Sequence, residues 1–299
     1  MSIVFNKSKE ISLDDETLRS DLLKIASGMD NVIALGRGDP DFHTPRHIVE
    51  AAKKALDENK HHYTPPTGLP ELRKSISKNF ELKYNLDYSE DEIIITAGVQ
   101  ESIALAMISL LKADDEVLIT SPRFTTYDLT VRMCNAKPVP VHTYEKDNFA
   151  LMPELIEQKI TKKTKLLVLV SPNNPTGAVT PPNNIKKIAQ IAIDNNLIVI
   201  SDEIYADLIY DSHEHLSIGS LEKMKERTLT LNGFSKTYAM TGWRVGYIAG
   251  PKDIINKMTE IRHALSINSC TFSQYGALAA LDGPQEEINK MKNEYNERR

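Results

Sequence analysis

Lys236 is the side chain with the clearest chemical potential in this sequence. It lies in a stretch of small residues, NGFSKTYAMTGWRVG at 232–246, between an apolar run at 228–231 and another at 245–249. An amine among small and apolar neighbours loses hydration, which favours its neutral and nucleophilic form. Arg244 precedes the second run, so both cations lie at strand ends and not on a solvated helix face. Taken alone, Lys236 is also compatible with an ordinary surface lysine, and the residues at other strand ends decide between the two interpretations.

Asp202, Tyr205 and Asn174 follow two further apolar runs. Asp202 directly ends the run at 197–201, and Tyr205 comes soon after it. A carboxylate at the end of a buried strand needs a cation or several hydrogen-bond donors, so Asp202 predicts either a ligand contact or a structural ion pair. Asn174 lies in the loop SPNNPTG at 171–177, where two prolines restrict the backbone. Asparagine is common in turns, but a rigid polar loop directly after a buried strand indicates a side chain held in position.

Two other runs are followed by groups suited to a phosphate and to an aromatic ring. Gly98, Val99 and Gln100 come after the run at 93–96 and open a predicted helix. The exposed backbone N–H groups and the dipole of a helix start favour an anion there, although a glycine at this position is also compatible with simple turn geometry. Phe124 follows the run at 117–120. Its ring could stack on a heteroaromatic ligand or pack in the core.

Seven apolar runs separated by helical stretches must position these residues. The runs are rich in Val, Ile and Leu without polar alternation, which is typical of strands covered on both faces. The sequence therefore predicts an α/β fold with a mainly parallel seven-stranded sheet and helices on both faces. Ligands of such sheets bind outside the carboxyl ends of the strands, so the polar groups above should meet at one edge. The runs lie at 93–96, 117–120, 138–142, 166–170, 197–201, 228–231 and 245–249.

Composition excludes several classes of function. The net charge of -5 across 299 residues gives no electrostatic footprint for nucleic acid. Cys134 and Cys270 lie far apart, with no spacing typical of a metal site or a disulfide framework, which favours a reducing cytoplasm. No signal peptide and no apolar stretch long enough for a membrane span is expected. A GxGxxG fingerprint, a P-loop and a serine triad are also absent from the sequence.

The chain resembles the class I/II aminotransferases of fold type I, which depend on pyridoxal phosphate, and more narrowly their prokaryotic aspartate-aminotransferase-like branch. Six motifs carry this resemblance, in the family's order and spacing, from about residue 30 onward. They are GDPDF at 38–42, YTPPTG at 63–68, TAG at 96–98, SPNNPTG at 171–177, SDEIY at 201–205 and GFSKTYAMTGWRVG at 233–246.

The resemblance implies a role for each candidate residue. Lys236 would form the internal aldimine with pyridoxal 5'-phosphate, and Asp202 would pair with the pyridinium nitrogen. Tyr205 and Asn174 would hydrogen-bond the phenolic oxygen. The remaining matches would surround the cofactor or the substrate. Phe124 would stack on the ring, and the phosphate would be held by Arg244, Ser235 and Gly98-Val99-Gln100. Tyr63 would reach the neighbouring subunit of a homodimer, and Gly38, with Asn174, would line the substrate site.

The reaction implied is transfer of an amino group between an L-amino acid and a 2-oxo acid in a ping-pong cycle through Lys236. Two alternatives stay open at this point. One is a lyase or decarboxylase on the same scaffold, and the other is a non-catalytic pyridoxal-phosphate-binding module.

Domain organisation is expected to follow the same family. Residues 1–45 would form an N-terminal arm and small-domain segment, 46–283 the large cofactor-binding domain, and 284–299 the start of an incomplete small domain. Relatives continue for roughly the length of one more domain and carry there the arginine that binds the substrate α-carboxylate. We therefore expect weak or absent transamination from these 299 residues alone. Gly233 and Gln100 stand where relatives often have other phosphate ligands.

Overall fold

Seven strands form one sheet in the part of the chain that the computed structural model describes, which comprises Ile25, Gly28, Met29 and residues 38–299. The strands occur in the order β1-β7-β6-β5-β4-β2-β3 across the sheet. All of the predicted strands are present, and their bounds are β1 Ile93–Thr96, β2 Glu116–Ser121, β3 Lys137–His142, β4 Thr164–Val170, β5 Ile198–Asp202, β6 Thr228–Gly233 and β7 Gly246–Ala249.

Strands β2 to β6 pair in parallel, whereas β7 runs antiparallel to both of its neighbours, β1 and β6. This arrangement confirms the predicted mainly parallel sheet. The helices of the described residues are α1 Arg46–Asp57, α2 Pro70–Tyr84, α3 Val99–Leu110, α4 Thr126–Met133, α5 Pro153–Glu157, α6 Pro182–Asp194, α7 Lys252–Leu265, α8 Thr271–Asp282 and α9 Glu286–Arg298.

Both faces of the sheet are buried except at the edge strand β3, where only Val141 is buried, because side chains alternate along each strand and each set meets a layer of helices. In β5, Ile200 packs with α3, α4 and α7, whereas Val199 packs with α5 and α6. In β1, Ile94 joins the same α3–α4–α7 layer, and Ile95 packs with α1, α2, α8 and α9. The absence of polar alternation in the sequence follows from this double burial.

The antiparallel β7 brings its first residues to the edge where the other strands end. Gly246 begins β7 and pairs with Thr96, the last residue of β1. It also pairs with Gly233, the last residue of β6. The chain before β7, which carries Arg244, therefore meets the chain after β1 and the chain after β6 at one edge.

Pro40–Arg299 form one compact unit, and Gly38 and Asp39 belong to a separate unit. Most of the predicted segment 1–45 lies outside the described residues, so the predicted domain boundaries stay predictions. No helix within the described ranges is both long enough and apolar enough to cross a membrane.

Candidate functional site

Lys236 lies in the loop after β6, where its half-buried side chain faces the loop after β5. Its Nζ is 5.9 Å from the centroid of the Tyr205 ring. Two backbone hydrogen bonds close the lysine loop, from Tyr238 N to Phe234 O at 3.2 Å and from Met240 N to Ser235 O at 3.2 Å. Phe234 is fully buried in the core beneath the loop. The small residues of the motif therefore form a tight turn that presents the amine at the carboxyl edge of the sheet.

Tyr205 and Asn174 come together although they belong to different loops. Asn174 Nδ2 donates a hydrogen bond to the Tyr205 hydroxyl at 3.5 Å. Burial raises the pKa of Tyr205 and the charge of Asp202 adds to that effect, whereas the hydrogen bond from Asn174 opposes it. The phenol consequently stays protonated near neutral pH and keeps a proton that it can donate.

Asp202 ends β5 with a carboxylate that is only 6% exposed. Oδ2 accepts a hydrogen bond from the Tyr127 hydroxyl at 2.5 Å, and Oδ1 accepts one from the backbone N–H of Ile204 at 3.1 Å. Burial raises the pKa of Asp202 to about 6, even though both hydrogen bonds lower it. A cation that reached this carboxylate would supply the compensation that these two donors leave incomplete.

Tyr127 is a site residue that the sequence reasoning missed. Its side chain is 1% exposed in the first turn of α4, and burial raises its pKa well above the ordinary value. It is therefore a protonated donor that orients Asp202. The signal in the sequence was a tyrosine three positions after Phe124, on a short helix that begins at the same sheet edge, but nothing in that spacing indicates which buried acceptor it meets.

Gly98, the residue before α3, forms a narrow cradle with Arg244. Gly98 has φ 81° and Arg244 has φ 52°. Arg244 Nη2 donates to the backbone oxygen of Ala97 at 3.2 Å, and Nη1 donates to that of Thr241 at 2.9 Å. A Cβ added to Gly98 would lie 2.6 Å from Arg244 Nη2, so only glycine admits the guanidinium here.

Gly246 completes this cradle from the side of β7. A Cβ at Gly246 would lie 2.9 Å from the backbone nitrogen of Val99, so the strand can approach the helix start only without a side chain. The first N–H groups of α3 have no partner within the helix. Together with the neighbouring guanidinium, they form a site whose donors fit a phosphate dianion.

Glu101 and Arg262 hold the backbone that forms the cradle. Neither residue was predicted from the sequence to belong to the site. Glu101 Oε2 accepts a hydrogen bond from Ala97 N at 2.5 Å, and its Oε1 lies 3.6 Å from Arg262 Nε. Arg262 is fully buried. It donates to the backbone oxygen of Pro66 at 2.7 Å and to that of Ile95. This arginine therefore fixes the turn after β1 relative to the loop that carries the YTPPTG motif.

The other predicted residues differ in how closely they meet this cluster. Phe124 is partly buried against the α3–α4–α7 core layer, and Ser235 is half-buried beside Lys236. Gln100 is exposed in the first turn of α3. Tyr63 is 79% exposed on its loop. Gly38 belongs to the separate unit, so its part in the substrate site stays a prediction. No group of three or more His, Cys, Asp or Glu side chains among residues 38–299 is arranged to hold a metal ion.

Comparison with known proteins identifies the family. The profile of the family "Aminotransferase class I and II" matches residues 30–299. The aspartate aminotransferase of Pyrococcus abyssi is 44% identical over 281 residues, which cover 93% of this chain and 72% of that protein. An aromatic-amino-acid aminotransferase of Thermococcus litoralis is 41% identical over 281 residues, again 93% of this chain and 72% of that protein.

The fold is also that of solved relatives. The structure of the aspartate aminotransferase of Thermus thermophilus with maleate superposes with a TM-score of 0.90 at 36% identity, covering 97% of this chain and 75% of that one. The family, the fold, the cofactor and the assignment to the transaminases expected from the motifs are thereby confirmed, and a lyase, a decarboxylase or a non-catalytic module is not favoured. The weak or absent transamination expected from these 299 residues alone stays a prediction. The chain belongs to the class I and II aminotransferases, enzymes that depend on pyridoxal phosphate.

Proposed function

We propose that this chain moves an amino group between an L-amino acid and a 2-oxo acid through Lys236, in a cycle in which the first product leaves before the second substrate binds. The observation that carries the proposal is the position of Lys236 Nζ, 5.9 Å from the centre of the Tyr205 ring, at the edge where Asp202 is buried. The names of the relatives define the substrates to assay: L-aspartate first and aromatic amino acids second, each with a 2-oxo acid as acceptor.

Pyridoxal phosphate, when bound, supplies a pyridinium ring that withdraws electrons from an amino acid joined to it. Asp202 would hold the ring nitrogen in its protonated form, since a buried carboxylate with a raised pKa gains most from a cation. The protonated Tyr205 hydroxyl and the Asn174 amide would donate to the phenolic oxygen. Phe124 would pack on the ring face from the α4 side.

The phosphate would lie in the cradle between Arg244 and the start of α3. The N–H groups of Val99 and Gln100 point out of the helix start, and Ser235 brings a hydroxyl from the lysine loop. Because Gly98 and Gly246 leave room for close approach of the guanidinium and of β7, these donors form a compact set before any ligand arrives. The cradle fits a phosphate because its groups donate hydrogen bonds and because Gly98 and Gly246 leave space that a Cβ would fill.

Lys236 Nζ has two tasks in this scheme. It would hold the cofactor, and as a free amine it would act as the base and acid that carries the proton of the substrate Cα. The tight turn around the lysine holds the amine at the carboxyl edge of the sheet, where both tasks would take place. Tyr205 would support this proton transfer by donating a hydrogen bond to the phenolic oxygen of the cofactor, which stabilises negative charge on that oxygen.

We also propose that the protein works as a homodimer in which Tyr63 reaches the phosphate of the neighbouring site. A tyrosine ring that is 79% exposed on a loop anchored by the Thr271 hydroxyl to the His62 backbone oxygen, at 2.6 Å, supports this assignment. A cytoplasmic location is proposed on the two cysteines, Cys134 and Cys270, neither of which forms a disulfide. Residues 46–283 are proposed as the large cofactor-binding domain, with residues 1–45 and 284–299 as parts of a smaller domain.

Substitution of the lysine tests the central assignment. Purified protein with bound cofactor is reduced with borohydride, and peptide mass spectrometry should find the cofactor on Lys236. Lys236→Ala should lose both this label and amino transfer from L-aspartate to 2-oxoglutarate. The matched control Lys252→Ala, at an exposed lysine on α7, should keep both. Label on another lysine, or wild-type transfer by Lys236→Ala, would contradict the assignment.

A further inference from the structure

The two loops that carry Tyr205 and Lys236 are joined by a carboxylate that no motif singled out. The last backbone hydrogen bond in line with the β5–β6 ladder runs from Glu203 N to Leu231 O at 2.8 Å. Beyond it, the chain after β5 and the chain after β6 leave the sheet. Their catalytic side chains must nevertheless stay in register, because a displacement of about 1 Å can cost about 100-fold in rate.

We propose that Asp207 is a positioning residue that holds the Tyr205 loop and the Lys236 loop in register. This inference rests on the proposed roles of Tyr205 and Lys236. Asp207 Oδ2 accepts a hydrogen bond from the Thr237 hydroxyl at 3.3 Å. Asp207 lies two positions after Tyr205, and Thr237 directly follows Lys236, so the bond connects the two loops next to their functional side chains.

The other carboxylate oxygen ties the same residue to the end of α2. Asp207 Oδ1 accepts a hydrogen bond from the Tyr84 hydroxyl at 2.8 Å and lies 3.4 Å from Lys83 Nζ. Tyr84 stays protonated, because burial and the charge of Asp207 raise its pKa. With one oxygen held by a helix that packs on the core, the other oxygen becomes a fixed acceptor for Thr237.

Burial also favours a positioning role over a surface contact. Thr237 is only 5% exposed, and the Asp207 side chain is 27% exposed. A chain of hydrogen bonds from Tyr84 through Asp207 to Thr237 fixes the position of the lysine loop relative to α2. The backbone of the Tyr205 loop is held by its own turn, with Leu208 N donating to Tyr205 O at 2.8 Å.

Thr237→Val tests the inference with little change of shape, because it removes the donor and keeps the branched side chain. In the holoenzyme we expect kcat to fall about tenfold while KM and the amount of bound cofactor stay unchanged. Thr237→Ser should restore kcat. Asp207→Ala should lose at least as much, because it also removes the contacts with Tyr84 and Lys83. The double variant should lose no more than Asp207→Ala, since the bond between Thr237 and Asp207 is already absent there.

Asp211→Ala is the matched control, because Asp211 is an exposed carboxylate that pairs with Arg299 beyond the Tyr205 loop; its kcat should equal that of the wild type. The inference is overturned if Thr237→Val keeps the wild-type kcat, or if the two losses in kcat simply multiply in the double variant. Lys236→Ala separates this failure from failure of the proposed function. If that variant loses turnover while Thr237→Val does not, only the role of Asp207 is refuted.

Discussion

We expect the buried carboxylate of Asp202 to destabilise the folded, cofactor-free chain at neutral pH, and Asp202→Asn measures that effect. The side chain is 6% exposed, and burial raises its pKa from the ordinary 3.8 to about 6. Hydrogen bonds from Tyr127 and from the N–H of Ile204 only partly offset the loss of hydration. Asparagine keeps the volume of the side chain and cannot ionise.

The sign follows from proton binding. Between pH 4 and pH 6 the folded protein holds a proton on Asp202 that the unfolded chain has already released, so stability falls as pH rises through this window. The difference between 3.8 and about 6, at about 1.36 kcal/mol for each step of one in pKa, gives about 3 kcal/mol lost by pH 8. The asparagine amide replaces one acceptor oxygen by a donor, which costs about 1 kcal/mol at every pH.

Urea unfolding of the cofactor-free protein at pH 4, 6 and 8 measures this prediction. Relative to wild type, Asp202→Asn should be less stable by about 1 kcal/mol at pH 4 and more stable by about 2 kcal/mol at pH 8. The control Asp87→Asn removes an exposed carboxylate and should show no such reversal. A difference between Asp202→Asn and wild type that does not change with pH would refute the reasoning.

The cofactor should reverse the preference. In the proposed site pyridoxal phosphate would bring a cation to Asp202. Loss of one partner of a buried charge pair costs about 3–5 kcal/mol, which corresponds to at least about 100-fold in affinity. The same substitution should therefore stabilise the empty protein at pH 8 and weaken its binding of the cofactor. Damage to the fold cannot produce both effects, because it would lower the stability and the affinity together.

Three further substitutions test separate contacts. Gly98→Ala places a Cβ 2.6 Å from Arg244 Nη2. It should lower the affinity for pyridoxal phosphate by about tenfold or more and leave the affinity for pyridoxal unchanged. Equal losses of affinity for the two compounds in fluorescence titrations would reject the phosphate cradle. Tyr127→Phe removes a hydrogen bond that lowers the pKa of its carboxylate partner, so cofactor binding titrated from pH 5 to 8 should reach its midpoint at higher pH. Burial lowers the pKa of His215, but the charge of Glu203, its hydrogen bond and the charge of Asp207 together outweigh burial and raise the pKa. The contribution of the pair is therefore complete below about pH 6.5 and is lost as pH rises through the raised pKa. His215→Gln should accordingly cost about 3 kcal/mol in urea unfolding at pH 6 and less at pH 9, and an equal cost at both would contradict this.

The strands were predictable because the composition of most of the short segments indicates their burial. Most of the runs are apolar at successive positions, which is typical of a strand covered on both faces. The run at 138–142 contains two prolines and forms the edge strand β3, in which only Val141 is buried. The edge of the sheet then follows from parallel pairing alone, which places Asp202 and Lys236 together. The start of β7 at the same edge required the antiparallel pairing of Gly246 with Thr96 and Gly233, and the position of Arg244 depends on it.

Contacts between distant segments were not predictable in the same way. Tyr127 and Asp202 are separated by 75 positions, and Arg262 reaches the backbone oxygen of Ile95 across 167. A buried tyrosine or arginine has no local pattern that reveals its acceptor, because the same residue types occur on exposed helix faces. The hydrogen bond between Thr237 and Asp207 is equally unpredictable from the sequence, because it depends on how two loops leave neighbouring strands.

Two consecutive carboxylates at the end of β5 indicate how a functional acid can be told from a structural one. Asp202 faces the layer of Ile200, and Glu203 faces the opposite layer, so both are buried. Glu203 accepts hydrogen bonds from Ser201 at 2.8 Å, from Ser217 at 2.6 Å and from His215, whose Nε2 lies 3.0 Å away. Glu203 thus pairs with an imidazole whose pKa is raised, whereas Asp202 receives two neutral donors and keeps a raised pKa. A buried acid that meets two neutral donors and no cation among the described residues is suited to a cationic ligand, and this difference in compensation supports the proposal that Asp202 meets the cofactor.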